Sequence, residues 1–451
     1  MKRLKYILAA VIVSSSLYSV QAQETWSLEK CIEYAKEHNI QLRKQELNAQ
    51  LSKNNLTQSK VNLLPSLNGS SSHNFSYGRS LDFETNSYIN RDQQSTNFRL
   101  SSSLDLFEGF QKYNTIKQNK LNLQANLQEV EKAKEDLALN ITSYYLNVLF
   151  KKELLQVAKD QVKVTKLQIN RTKTLVEAGT LPKGTLMEQQ AQAAREEVTV
   201  VNAQNSLDLA LLDLAQLLDL NTTEGFDILI PELPVLNANK SLVDPNSVFI
   251  SALEFRPEIK AAEYRLESNK KGLSIARGRR SPSLSLDGYW NSGYSNTLKI
   301  KDPVTSKMSL MSFKDQLELN ESKSFYFTLR IPIFNGGSVN RSISNAKINI
   351  DQSKLDLENS KNILRKEIQQ AHANALAAMK KFFSSETAVS STEEAFRYTE
   401  EKFNLGLVNS VEYNEARNNL LKSKSDLLQA KYDYIFRTKI LDFYNGIEIK
   451  L

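Results

Sequence analysis

The sequence predicts a mainly α-helical chain interrupted by β-strand pairs, and three observations carry that fold class. Two stretches of 68 residues, Gln111 to Ala178 and Ser338 to Leu405, contain neither glycine nor proline. An apolar position recurs every seven residues along both, through Ile141, Val148, Leu155, Val162, Ile169 and Val176 in the first and Ile368, Ala375, Phe382, Val389, Phe396 and Phe403 in the second. An apolar heptad held this long specifies a helix packed lengthwise against other helices. At ~1.5 Å per residue each stretch makes a rod of roughly 100 Å. The stretches also recur as copies, because Gly109 and Gly336 are 227 positions apart, and so are Gly179 and Gly406.

The repeat extends to the segments before the rods. Ala35–Leu42 aligns with Ala252–Ile259, and the Pro65-Ser-Leu segment with Pro282-Ser-Leu, at an offset of 217. The second copy therefore carries a longer insertion between its proline and its rod. Within 65–110 and 281–336 the texture changes to serine, asparagine and aromatic residues with period-two alternation, as in Phe98, Leu100, Leu104 and Leu106, or Phe325, Phe327, Leu329, Ile331 and Ile333. That pattern predicts two strands of about ten residues in each window, joined by polar loops over 78–96 and 295–323. Strand length and the aromatics Phe107, Phe110, Tyr289, Trp290, Tyr294 and Phe334 near strand ends fit a membrane-spanning β-barrel. A water-exposed hairpin packed on the helices fits the same texture. If the strands lie in a membrane, four cannot close a barrel, which takes at least ~8, so several chains must share one.

Each copy thus runs helix, strand pair, rod, tight turn, returning helix. The first repeat covers 23–220, with strand pair 65–110, long helix 111–178, turn 179–184 and return helix 185–220. A proline-bearing connector, 221–244, leads to the second repeat at 245–444, with strand pair 281–336, long helix 337–405, turn 406–409 and return helix 410–444. A tail, 445–451, closes the chain.

The first 22 residues are expected to be a signal peptide. Lys2, Arg3 and Lys5 form the basic start, 6–13 the apolar core, and Val20-Gln21-Ala22 the cleavage site. Removing it takes the formal net charge from +7 to +4. The excess is spread along helices, which argues against nucleic acid as a partner. Cys31 is the single cysteine, placed at a buried helix position and not at the cleavage point where a lipid would attach. His38, His73 and His372 lie far apart without ligand spacing, so neither a metal site nor a cofactor is expected. No phosphate-binding glycine loop or nucleophile–base motif argues for an enzyme.

The duplicated Ala-Leu-x-x-(Asn/Arg)-Pro-Glu-Ile type motif, the Pro-Ser-Leu strand openings, the strand ends Leu104–Phe110 and Ile331–Gly337, and the glycine turns together resemble the TolC-like outer-membrane efflux protein family. The resemblance covers nearly the whole mature chain. It implies a homotrimer in the outer-membrane lipid, with a 12-stranded β-barrel built from four strands per chain. It also implies a long periplasmic α-helical barrel. The expected function is export of small molecules or proteins from the periplasm, in a tripartite efflux or type I secretion system. A periplasmic adaptor (membrane fusion) protein and an inner-membrane transporter are the implied partners. An exported structural coiled coil without channel activity is the competing reading, and it leaves the strand windows unaccounted for.

By the same resemblance the turns Gly179, Thr180, Leu181, Pro182 and Gly406, Leu407, Val408, Asn409 are expected to dock the adaptor. Glycine after a long helix fits a left-handed cap at Gly179 and Gly406. Glu412 and Glu415 match the positions of two aspartates that line the family's periplasmic entrance. Their i, i+3 spacing puts both on one helix face, and a trimer would stack them into two acidic rings that favour cations. Two glutamates in a first turn also simply complement a helix dipole. Glu188 stands alone at that depth in the first copy.

Overall fold

A computed structural model describes residues 25–82, 86–232, 242–301, 303–304 and 306–451. The expected signal peptide and part of the connector lie outside these residues. In the first copy the elements are β1 (Thr25–Trp26), α1 (Leu28–His38), α2 (Ile40–Val61), β2 (Ser66–Ser76), β3 (Arg79–Asp82), β4 (Ser87–Asn90), β5 (Gln93–Glu108), α3 (Gln111–Glu177) and α4 (Lys183–Leu217). After β6 (Asp227–Ile228) the second has α5 (Pro245–Phe255), α6 (Pro257–Gly278), β7 (Ser283–Ser295), β8 (Lys299–Lys301), β9 (Met308–Leu310), α7 (Phe313–Leu319), β10 (Ser322–Arg330), α8 (Ser338–Asn404) and α9 (Ser410–Tyr444). Helix lengths of 11, 22, 67 and 35 residues recur in the same order.

The helix expected before each strand pair is two helices. Asn39 is extended, and its Oδ1 accepts from the Gln41 (3.0 Å) and Leu42 (3.1 Å) amides, ending α1 and restarting the chain as α2. At the matching place Arg256 precedes Pro257, whose ring disfavours helical backbone on the residue before it. The long helices are unbroken.

Among the described residues the chain divides into two compact units, one drawn from the stretch up to Leu47, Glu129–Ile259 and Asn359–Leu451, the other from Asn48–Gln128 and Lys260–Glu358. In the first unit the heptad residues Ile141, Val148, Leu155, Val162, Ile368 and Ala375 are buried with Leu207, Ala210 and Leu214 of α4 and Ala430 and Ile435 of α9. Ile169, Val176, Phe396 and Phe403, nearer the turns, are only half-buried. β1 and β6 form a short parallel pair. The Tyr145 hydroxyl holds it by donating to the Leu229 carbonyl (2.6 Å), and the Lys152 ammonium reaches Asp227 (2.5 Å) and the Ile228 carbonyl (3.0 Å).

The second unit holds an antiparallel sheet in the order β10-β7-β5-β2, so the two hairpins meet through β5 and β7. Its register sorts the side chains. Directly opposed residues share a face, so Leu67 and Phe75, Phe98, Leu100 and Leu104, Leu284, Leu286 and Trp290, and Phe325, Phe327 and Leu329 lie on one side. Asn97, Arg99 and Ser101 lie on the other with Asp287, Tyr289 and Asn291; Arg99 donates to the Asn291 amide oxygen at 2.8 Å. A bulge between Asp105 and Phe107 keeps Phe107 on the apolar side with Leu104, despite their opposite parity. β5 spans 16 residues, longer than the ten expected, because it pairs on both sides. The outer strands β2 and β10 each have one unpaired edge. The expected polar loops contain the β3–β4 and β8–β9 hairpins and α7.

Helices of this unit meet through small polar groups. Asn126 donates to Ser52 (2.5 Å), Ser268 to Asn122 (2.5 Å) and Asn269 to Ser353 (2.5 Å). Among the described residues no helix is long and apolar enough to cross a membrane.

Candidate functional site

Both rods end in the same hydrogen-bonded turn. The Thr180 amide donates to the Leu175 carbonyl and the Gly179 amide to Val176, each at 3.0 Å; Leu407 donates to Lys402 (2.9 Å) and Gly406 to Phe403 (3.0 Å). Gly179 and Gly406 both have φ +74°. This is the Schellman arrangement, which satisfies carbonyls that a helix end leaves open and requires the left-handed conformation glycine adopts without cost. The glycine caps expected from the sequence are therefore present. Thr180, Pro182 and Asn409 are exposed, Leu181 and Val408 half-buried, and Leu407 is 70% exposed.

The returning helices start differently. Pro182 caps α4 without a side-chain bond, whereas Asn409 Oδ1 accepts from the Glu412 amide (2.9 Å) at the start of α9. Asn409 Nδ2 in turn approaches Glu412 Oε1 (3.5 Å), so Glu412 contributes to capping. Glu412 and Glu415 are both exposed, on the opposite side of α9 from the buried Tyr413, Arg417 and Leu420. Glu188 does not join them; its carboxylate accepts from the Ser410 hydroxyl. Arg171 donates to the Asn404 amide oxygen (2.9 Å), a second tie between the two turn regions.

The sequence reading missed a buried polar layer behind these turns. Glu196 of α4 and Arg417 of α9, 7% and 3% exposed, form an ion pair, and the Thr165 hydroxyl of α3 contacts both. Gln192 donates to Glu196 (2.9 Å), and the Gln189 amide is fully buried with no hydrogen-bond partner among the described residues. Tyr413 stacks on Phe403 (4.6 Å between centroids), and burial raises its phenol pKa while Arg417 opposes the shift. Gln189, Gln192 and Glu196 occupy the core stripe of α4 that also carries Leu186 and Ala193. Polar residues at core spacing were the available signal.

Residues 31–219 and 249–441 match the model of the Outer membrane efflux protein family. The chain belongs to that family. It is similar to Outer membrane protein TolC of Escherichia coli (strain K12), at 23% identity over 96% of this chain and 84% of the relative. It is also similar to Alkaline protease secretion protein AprF of Pseudomonas aeruginosa, at 20% identity over 69% of this chain and 62% of the relative. Among solved structures it resembles the outer membrane protein VceC of Vibrio cholerae with a TM-score of 0.75 and 15% identity, covering 94% of this chain and 97% of that one. The Campylobacter jejuni CmeC outer membrane channel gives a TM-score of 0.73 at 18% identity, over 93% and 85% of the two chains. This outer membrane efflux protein therefore has the TolC-like channel fold. It works as a duct, localised to the outer membrane and extending into the periplasm.

Proposed function

We propose that three copies of this outer membrane efflux protein form one export duct, with a 12-stranded barrel above a helical tunnel. It would pass small molecules or proteins handed on by an inner-membrane transporter and a periplasmic adaptor. The observation that carries this reading is the sheet, apolar on one face, polar on the other and open at both edges. In a bilayer every strand edge must be paired, and copies of the same sheet joined β2 to β10 do so in a ring, with the apolar face to lipid and the Arg99 face to water. A coiled-coil spacer would leave Phe325, Phe327 and Leu329 in water. The recurring helix lengths support an internal duplication, with repeats at 23–220 and 245–444 around the 221–244 connector. The names of the relatives, which include toxin, drug and protease export, support efflux and type I secretion alike.

Within this duct the exposed turns, Thr180, Leu181 and Pro182 beside Gly179 and Leu407, Val408 and Asn409 beside Gly406, form the adaptor-docking tips. Glu412 and Glu415 form the acidic entrance rings. The test is conductance of the detergent-extracted protein in a planar bilayer. A cation-selective conductance blocked by multivalent cations supports duct and rings together. Conductance without that selectivity removes the rings, and no conductance removes the duct.

A further inference from the structure

The two hairpins are one hairpin written twice. Under the offsets of the repeat, 217 at Pro65 and 227 at Gly109, Ser66 opposite Ser103 becomes Ser283 opposite Arg330. All nine pairs of the β10–β7 ladder, down to Ser322 opposite Asn291, are copies of β2–β5 pairs in this way. The longer insertion of the second copy lies wholly in the connecting loop. Its helix α7 rests on the loop end of the apolar face, where Phe313 packs on Tyr294 (5.3 Å) and Phe98 (6.5 Å) and the Gln316 amide donates to the Ser295 carbonyl (3.0 Å). The strands keep their register. β5 joins β7, so the second strand of one copy meets the first strand of the other. The open edges are the same two kinds of strand, β2 a first strand and β10 a second. Apolar side chains stand uncovered beside both. Leu67 of β2 is 75% exposed, and Ile331 and Phe334, just past the end of β10, are 58% and 89% exposed.

We propose that β10 of one copy of this chain meets β2 of the next in the register of the internal β5–β7 joint. This rests on the reading of the chain as one third of a barrel. The repeat converts each internal pair into a pair between copies. Ser101 opposite Tyr289 becomes Thr328 opposite Ser72 of the next copy. Leu100 opposite Trp290 becomes Phe327 opposite His73, and Phe98 opposite Ser292 becomes Phe325 opposite Phe75. The faces agree, since His73 and Phe75 share the apolar side with Phe325 and Phe327, and His73 already sets its ring edge-on to Phe75 at 4.5 Å. A slip of one residue would set those apolar side chains against the polar face. The bulge extends the match past Arg330. Asp105 and Phe107 flank it in β5, and their copies are Pro332 and Phe334. A bulge or an edge is where a sheet accepts proline, which has no amide hydrogen to donate. Leu284, opposite Phe107, has Leu67 as its copy, so the joint sets Phe334 opposite Leu67 of the next copy and covers both. A slip of two residues keeps the faces but opposes Phe334 to Gly69 or Pro65.

Paired cysteines read this register. Directly opposed residues have Cα atoms about 4.5–5.5 Å apart, within the span of a disulfide, whereas diagonal neighbours stand roughly 7–8 Å apart, beyond it. Ser72→Cys/Thr328→Cys and Ser71→Cys/Leu329→Cys lie on opposite faces of the joint, so one of the two is the closer, non-hydrogen-bonded kind. Ser70→Cys/Thr328→Cys and Asn74→Cys/Thr328→Cys report slips of two residues. Within one chain β2 and β10 are opposite edges of the sheet, so any link must join copies. Cys31 is fully buried and stays out of the reaction. Membranes holding each variant are oxidised, alkylated and separated by electrophoresis without reductant. At least one opposed pair is expected to give a covalent trimer, while both slipped pairs stay monomeric. A trimer from a slipped pair and none from the opposed pairs overturns the register. Equal linkage in all four also overturns it, since an edge that slides has no fixed register. Planar-bilayer conductance of the wild type is read separately. If it conducts and no pair links, the joint alone is defeated; if it does not conduct and no pair links, the barrel reading beneath it falls.

Discussion

Arg417 and Glu196 show how much a single buried charge can matter. Each is held by the other and by Thr165, with almost no access to water. Removing one partner leaves an uncompensated charge, so Arg417→Met should cost about 3–5 kcal/mol. Glu196→Met/Arg417→Met should recover most of that loss, and thermal unfolding in detergent compares the two. Cys31 offers a test of burial. Its thiol is inaccessible, and burial pushes its pKa from about 9 to about 12, with Glu29 adding to the rise and Lys30 opposing it. The native protein should therefore resist alkylation at pH 8.5 until it unfolds. A raised folded-state pKa means the native state holds the proton longer than the unfolded chain. The corresponding stability is complete below pH 9 and is lost as pH rises towards 12. Cys31→Ala should lack that component of the alkaline loss.

At the scale of elements, the glycine turns separate conformational cost from packing cost. Gly406 has φ +74°, and a Cβ built there meets no atom within 4 Å. Gly406→Ala should then cost only the left-handed backbone penalty, about 1–2 kcal/mol, seen as a modest fall in melting temperature. A larger loss would mean that the turn is packed against something else in the assembled protein. The sequence made these turns legible, because helix caps are local and their residues adjoin. The Asn409–Glu412 cap was written the same way, in four consecutive residues. The Glu196–Arg417 pair was not, since the residues lie 221 positions apart and meet only once three helices pack. The break at Asn39 was also missed, because an asparagine inside an amphipathic pattern announces a cap only when its side chain turns back on the following amides.

For the whole molecule, the proposed rings predict a selectivity that one chain cannot display. Glu412 and Glu415 are exposed on the single chain, with the capping role of Glu412 accounting for one of them. If three copies bring these carboxylates around one entrance, Glu412→Gln/Glu415→Gln should abolish cation preference and multivalent block while leaving a conducting pore. Unchanged selectivity with full conductance would assign both residues to helix-end electrostatics alone. If the proposed entrance opens by parting these helices, the buried polar layer behind the turns suits that movement. Ion pairs and amides can exchange partners with water, whereas the Ile141, Val148 and Leu155 seam gains only by staying closed.

The sequence by itself determined the two long helices, their returning helices, the glycine turns and the existence of two strand pairs, since heptads, caps and alternation are properties of neighbours along the chain. Only the tertiary structure decided that the hairpins join through β5 and β7, that a bulge keeps Phe107 on the apolar face, and that α7 covers one end of it. It alone also showed which polar residues close on one another inside the helices. These outcomes depend on register and packing between segments from 21 to 221 positions apart, and composition or spacing does not encode them where they can be read.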